Sequence, residues 1–147
     1  MKVIGFEKEV VDPEYLKKYN VTQVEFDELL STSDFISLHL PATPETINMI
    51  GKKQFELMKN TSFLINTARG KLIVESDLFD ALTNNQIAGA ALDVFETEPP
   101  TNSELIKLKN LIATPHIGAQ IIEAQKDASI VIAQKIIKYY SDNHSEE

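Results

Sequence analysis

The chain contains no cysteine, which removes disulfides, thiolate nucleophiles and Cys-type zinc sites from consideration, and no metal centre is expected. Arginine is nearly absent too: of 14 basic residues, Arg69 alone is an arginine and the others are lysines. No apolar run approaches the roughly 20 residues of a membrane-spanning helix. Glu7, Lys8 and Glu9 interrupt any signal-like segment near the N-terminus. The formal net charge of -8 comes without a basic stripe able to neutralise phosphates, so nucleic acid is not an expected partner. Glycine is scarce, with five in 147 residues, and nowhere do they form a G-x-G-x-x-G loop. A soluble, cytoplasmic protein with one domain's worth of sequence is the expectation.

The lone arginine is the sharpest compositional fact. A guanidinium is planar and two-pronged, suited to gripping a carboxylate or phosphate in a fixed orientation. A single surviving arginine is informative only through its neighbourhood, which is the loop Asn66-Thr67-Ala68-Arg69-Gly70.

Short apolar runs alternate with amphipathic stretches. Strands are expected at Lys2–Glu7, Val21–Val24, Asp34–Leu40, Ser62–Thr67, Ile87–Val94 and Leu111–Thr114. Their continuous hydrophobicity predicts strands buried on both faces. Helices are expected at Pro13–Tyr19, Phe26–Thr32, Thr43–Met58 with a break at Gly51, Glu75–Asn84, and Gln120–Tyr140. Asp12-Pro13 and Thr43-Pro44 read as N-caps followed by proline in the first turn. The last helix places Ile121, Ala124, Ala128, Val131 or Ile132, Ile136 and Tyr140 on one side, and a polar tail is expected over residues 141–147. The alternation predicts an α/β, doubly wound, mainly parallel sheet.

In such sheets ligands bind at the C-terminal ends of strands. Glu7, His39 and Asp93 fall at strand ends, Arg69 follows the strand SFLINT, Glu98 sits in the loop FETEPP, and His116 follows the last short strand. Alone, each has a bland alternative, because loop carboxylates are usually solvated and single histidines are usually structural. Together they suit a specific chemistry. Arginine can hold a carboxylate and polarise an adjacent carbonyl, and histidine is the side chain best matched to proton transfer near neutral pH. A glutamate bonded to the far ring nitrogen favours the imidazolium. Reversible reduction of a 2-keto acid fits this set, with the hydride supplied by a cofactor.

Three ordered segments, NTARGKLIVESDLFDAL, IAGAALDVFETEP and NLIATPHIG, resemble the sequential signatures of the D-isomer-specific 2-hydroxyacid dehydrogenases. The resemblance runs from Lys2 to about Tyr140, so residues 1–140 are expected to be the NAD-binding domain from its second strand onward. It implies a Rossmann-like fold and a catalytic set of Arg69, Glu98 and His116. It implies cofactor contacts from Glu7, His39, Leu40, Pro41, Thr46, Thr67, Ala68 and Asp93, with Arg69, His116 and Gly118 beside them. The carboxylate of Glu7, at the place that meets the adenosine ribose in the family, implies NAD rather than NADP. Small 2-hydroxy or 2-keto acids are the implied substrates. A non-catalytic, NAD-responsive regulatory module is the alternative, since the family includes such relatives.

The sequence departs from the family pattern in three places. Ala119 stands where a second glycine is usual, and Ile121 where a threonine is usual. The glycine-rich loop is the third, expected just before Lys2 together with the family's first strand. Since the family's strand order is 3-2-1-4-5-6, the segments Lys2–Glu7 and Asp34–Leu40 are then expected to flank a lane about 10 Å wide, two strand spacings. Two unpaired strand edges predict a homodimer or strand-exchanged assembly.

Overall fold

The structure is a computed structural model and describes residues 1–101, 103–118 and 122–143. The chain divides into two compact units, Met1–Pro115 and His116–Glu147.

The first unit begins with β1 (Val3–Gly5), α1 (Pro13–Tyr19), β2 (Val21–Gln23) and α2 (Phe26–Thr32). The sequence punctuates α1 clearly. Asp12 accepts a hydrogen bond from the Glu14 N–H at 2.9 Å, with Pro13 in the first turn. Asn20 ends the helix in the left-handed conformation, φ 53°, which an asparagine tolerates better than most residues. Next come β3 (Phe35–Leu38), α3 (Lys52–Leu57), β4 (Phe63–Asn66), α4 (Glu75–Thr83), β5 (Gly89–Leu92) and β6 (Leu111–Ala113). Two single 3₁₀ turns, Gly70–Leu72 and Leu105–Lys107, were not foreseen. Every strand is shorter than its apolar run, because the ladder stops where the chain turns into loops.

All strand pairs are parallel, as expected for an α/β fold, and they form two sheets. One holds β1 and β2; the other has the order β3-β4-β5-β6. Among the described residues β1 and β3 are not paired with each other. A groove of about 800 Å³ runs between them, lined by Ile4, Phe6, Leu38 and Leu40 among others. The lane expected between these two strands is therefore present.

In the larger sheet burial on both faces holds along β5, where Gly89, Ala90 and Leu92 are buried and Ala91 is half-buried, but not along β3. Along β3 exposure alternates, with Ile36 and Leu38 buried and Phe35 and Ser37 exposed. The buried face of β3, β4 and β5 packs Ile36, Leu38, Leu64, Ala90 and Leu92 against Leu30 of α2, Phe55 of α3 and Leu78, Ala81 and Leu82 of α4. The opposite face carries Phe35 stacked on Phe63 at 5.5 Å between centroids, and Ile112, 70% exposed. Within this unit the helices after β2, β3 and β4 all supply one side, so along β3 alternation replaces two-sided burial.

The expected helix Thr43–Met58 survives only as α3. Thr46 Oγ1 accepts the Thr43 N–H at 2.8 Å and donates to the Pro41 carbonyl at 2.6 Å, a local pattern that competes with helix formation. Thr43 is thus part of a turn and not a helix cap. Asn48, φ 58°, then sends its N–H to the Lys71 carbonyl, and Ile50 bridges to Ile73 in a parallel pair. These cross-links hold the segment extended up to Gly51. There α3 starts, with the Lys52 N–H capped by the Asp77 carboxylate at 2.8 Å, a charge favourably placed at a helix N-terminus.

The second unit contains α5 (Ile122–Asn143), which continues into the segment expected to be tail. Ala119, Gln120, Ile121 and residues 144–147 lie outside the described residues. So do the side chains of residues 122–124 and 142–143, Ala124 of the expected apolar side among them. No helix among the described residues is long and apolar enough to cross a membrane.

One-sided burial has a direct energetic consequence. Leu64, fully buried in β4, should cost about 2–5 kcal/mol when changed to alanine. Ile112→Ser, on the open face, should stay within about 0.5 kcal/mol of the parent. Urea unfolding of the two variants tests the pair; equal losses would mean the open face is covered in solution.

Candidate functional site

Buried side chains at the C-terminal edge of the larger sheet set the positions of the exposed ones. Asn66, the last residue of β4, is only 1% exposed. Its amide Nδ2 donates to the Arg69 carbonyl at 2.9 Å and its Oδ1 accepts the Ala68 N–H at 3.1 Å. One side chain thereby folds Thr67, Ala68 and Arg69 into a tight loop. Thr67 and Arg69 are exposed on it and Ala68 is half-buried against the core. The Arg69 Nη1 donates to the Ala68 carbonyl at 2.6 Å, and the guanidinium takes no carboxylate partner among the described residues.

The next loop lies directly against this one. A Cβ built on Gly70 would fall 2.0 Å from the Phe95 carbonyl carbon and 2.5 Å from the Glu96 nitrogen. No other residue type leaves that approach possible, because such distances lie far inside van der Waals contact. Glu98 closes this second loop by accepting the Phe95 N–H on Oε1 at 3.0 Å, and the Glu96 N–H is held by the Glu75 carboxylate at 2.7 Å. Asp93, 6% exposed, continues β5 with its N–H on the Asn66 carbonyl, and its Oδ1 accepts the Thr114 hydroxyl. Arg69, Asp93 and Glu98 thus lie on adjoining loops at one sheet edge.

Glu7 and His39 stand at the ends of the strands that flank the groove, and Glu7, His39 and Leu40 line it. Glu7 is exposed two residues past β1, its Oε1 accepting the Lys8 N–H at 2.9 Å. His39 Nε2 is 2.9 Å from the Ser37 hydroxyl. Leu40 is half-buried against the core and Pro41 is exposed. Thr46 has its hydroxyl committed to Pro41 and Thr43, so it shapes this turn from within. In the same turn a hydrogen bond from the Thr43 side chain and one from the Glu45 backbone hold the Glu45 carboxyl below the usual carboxylate range, and Lys8 adds attraction. His116 and Gly118 belong to the second unit, where His116 has a left-handed backbone, φ 53°, uncommon for a residue other than glycine.

Three residues with structural claims on the site went unmarked in the sequence reading: Asn66, Gly70 and Thr114. The signal for Asn66 was a polar residue ending an apolar run. Gly70 was visible as a glycine directly after the lone arginine.

The family model for the D-isomer specific 2-hydroxyacid dehydrogenase, NAD binding domain, matches residues 1–118. The chain belongs to the D-isomer specific 2-hydroxyacid dehydrogenases. Within that family it is 45% identical over 139 residues to a glyoxylate reductase of Thermococcus litoralis, covering 95% of this chain and 42% of that protein. It is 48% identical over 132 residues to an Escherichia coli D-3-phosphoglycerate dehydrogenase, covering 86% and 32% of the two chains. Among solved structures, a glyoxylate reductase from Paecilomyes thermophila matches with a TM-score of 0.87 at 34% identity, over 92% of this chain and 41% of the other. An NAD-complexed D-isomer specific dehydrogenase from Lactobacillus delbrueckii matches with a TM-score of 0.68 at 35% identity, over 79% and 38%. The chain therefore spans less than half the length of these dehydrogenases, in their NAD binding domain.

The Gly70 approach gives the dehydrogenase loops a sharp test. Gly70→Ala should destabilise the first unit by at least about 1–3 kcal/mol, since the obstructing atoms are backbone and cannot rotate away. Thermal unfolding measures it; an unchanged midpoint would mean that the two loops are not packed this closely.

Proposed function

We propose that this chain is the cofactor-binding part of a cytoplasmic oxidoreductase that moves a hydride between NAD(H) and a small 2-hydroxy or 2-keto acid. The observation that carries the reading is the juxtaposition of the Arg69 and Glu98 loops across Gly70, in a chain with no other arginine. When bound, NAD supplies the hydride chemistry that no side chain offers. The residues present suit its two ends. The exposed Glu7 carboxylate at the groove matches the hydroxyl donors of an adenosine ribose and repels a 2′-phosphate. His39, Leu40, Pro41 and Thr46 form a turn that would line the cofactor. Thr67, Ala68 and Asp93 would meet the nicotinamide end, and Gly118 is a further cofactor contact that the family resemblance implies.

Each catalytic side chain has one task in this reading. Arg69 grips the substrate carboxylate through two parallel N–H groups and polarises the neighbouring carbonyl. His116 gives a proton to the carbonyl oxygen during reduction and takes it back from the hydroxyl in the reverse direction. Glu98 is the acidic member of the catalytic set that the family resemblance implies.

A chimera tests these assignments. The matched segment of 139 residues replaces its counterpart in the Thermococcus litoralis glyoxylate reductase, and NADH-dependent reduction of glyoxylate is followed. His116→Ala should lower kcat by roughly 10²–10⁴-fold, whereas Arg69→Lys should both raise KM and lower kcat, through weaker substrate binding and weaker carbonyl polarisation. Turnover that survives His116→Ala in a chimera that binds NADH would overturn the assignment.

The 147-residue chain by itself should bind NAD far more weakly than micromolar, because its sequence holds no glycine-rich turn to bring backbone N–H groups and a helix N-terminus to the pyrophosphate. It should also self-associate, since β1 and β3 each present an unpaired edge to the groove. Titration calorimetry and light scattering at micromolar concentration check both. A micromolar dissociation constant contradicts the first expectation, and a clean 16.5 kDa monomer contradicts the second.

A further inference from the structure

The loop after β1 is shaped by a side chain from a different strand. Gln23, the half-buried last residue of β2, donates from Nε2 to the Glu7 carbonyl at 3.1 Å and to the Glu9 carbonyl at 2.8 Å. Its Oε1 accepts the Val11 N–H at 3.0 Å. Three backbone groups across residues 7–11 close around one amide. Just before them the strand is fastened at the Gly5 carbonyl, which accepts the Val24 N–H at 2.9 Å.

We propose that Gln23 is a positioning residue for dinucleotide selection: it fixes the backbone that carries the Glu7 carboxylate and so enforces the choice of a free ribose hydroxyl over a 2′-phosphate. The proposal rests on the reading of Glu7 as the ribose-binding carboxylate. The chemistry asks for an amide in particular. Two donors must reach two carbonyls while one acceptor meets an N–H, and of side chains this long only glutamine offers two N–H donors together with an acceptor. Glutamate would set negative charge against two carbonyl oxygens, lysine has no acceptor, and methionine has no N–H to donate. Among the described residues the Glu7 carboxylate makes only a local contact, its Oε1 accepting the Lys8 N–H at 2.9 Å, which does not replace this latch. Without Gln23 the carboxylate would move with an untethered loop. A carboxylate free to move aside no longer excludes a phosphate.

The test uses the ¹⁵N-labelled 147-residue chain as wild type and as Gln23→Met, Gln23→Glu and Glu7→Gln. Each is titrated with NAD and with NADP, following amide shifts of residues 5–11, which report dissociation constants into the millimolar range. Hydrogen exchange of the Val11 amide reports the latch directly, and dispersed signals from β3–β6 show that a variant is folded. Both Gln23 variants should expose the Val11 amide and lower the preference for NAD over NADP by about five-fold, the worth of roughly one hydrogen bond. Gln23→Met and Gln23→Glu differ in polarity, so either one that folds is sufficient. Faster Val11 exchange with an unchanged NAD:NADP preference overturns the proposal and leaves Gln23 as a purely structural tether. Unchanged Val11 exchange overturns it as well. If Glu7→Gln leaves the preference unchanged, or if NAD moves no amide among residues 5–11, the ribose reading of Glu7 has failed and the Gln23 proposal falls with it.

Discussion

The approach of Gly70 to the Phe95 carbonyl and the Glu96 nitrogen is the contact on which the rest of the site depends. Two loops that follow neighbouring parallel strands normally diverge, because side chains at their starts keep them apart. Here the absence of one Cβ lets backbone meet backbone. The surrounding bonds then make the geometry nearly obligatory. Asn66 holds the Arg69 loop from below, Glu98 ties its own loop to Phe95, and Glu75 reaches up from α4 to Glu96. Each of these bonds is modest alone, about 1 kcal/mol net. Their effect is to remove alternatives: the loops that carry Arg69 and Glu98 are held by hydrogen bonds to Asn66, Glu75 and Glu98 itself.

The same economy appears in how the scaffold is built. A buried, well-packed face on β3, β4 and β5, joined to α2, α3 and α4, gives the edge its rigidity. The opposite face of that sheet and the two strands beside the groove are left with exposed Phe35, Phe63 and Ile112 and with unpaired edges. Rigidity is therefore uneven across the first unit. Arg69, Asp93 and Glu98 stand over the packed half. Glu7 stands over the two-stranded half, which depends on side-chain tethers such as Gln23 instead of a wide sheet.

The alternation of apolar and amphipathic segments was enough to read the mainly parallel α/β class and the succession of strands along the chain, whereas their order within the sheet came from the family resemblance, and Asp12-Pro13 marked its helix correctly. Sequence pattern misled in two places for physical reasons. In DFISLHL the alternation of Ile36, Leu38 and Leu40 with Ser37 and His39 was present in the sequence, and the apolar Phe35 on the exposed side made the run look buried on both faces. The stretch from Thr43 to Met58 has helical composition, yet Thr46 and the Asn48–Lys71 and Ile50–Leu72 bonds capture it as turn and bridge. Such long-range captures leave no local trace. Candidate residues were visible as polar groups just past strand ends, and of these Arg69, Asp93 and Glu98 lie on adjoining loops of the first unit. The residues that place them, Asn66 and Thr114 above all, were not, since a buried asparagine or threonine carries no distinctive sequence signature until its partners are known.

Electrostatics sharpens why so few residues matter in the proposed reaction. A chain of net charge -8 repels both a dinucleotide and a carboxylate substrate at long range. At physiological ionic strength that repulsion is screened within about 8 Å, so what decides binding is the charge met inside that distance. Lysines spread over the surface cannot reverse the local sign at one sheet edge, whereas a single arginine held by its own loop can. The converse holds at the groove, where Glu7 adds negative charge next to a proposed anionic ligand. A carboxylate there is unfavourable for phosphate at any position and favourable only for hydroxyl donors placed within hydrogen-bonding reach. Its value as a discriminator thus depends on distance far more than its charge does, because repulsion falls off gradually while a hydrogen bond is lost within a fraction of an ångström. A selective Glu7 must therefore be a fixed Glu7, and the amide of Gln23 is the group in this structure that reaches its backbone from outside its own strand.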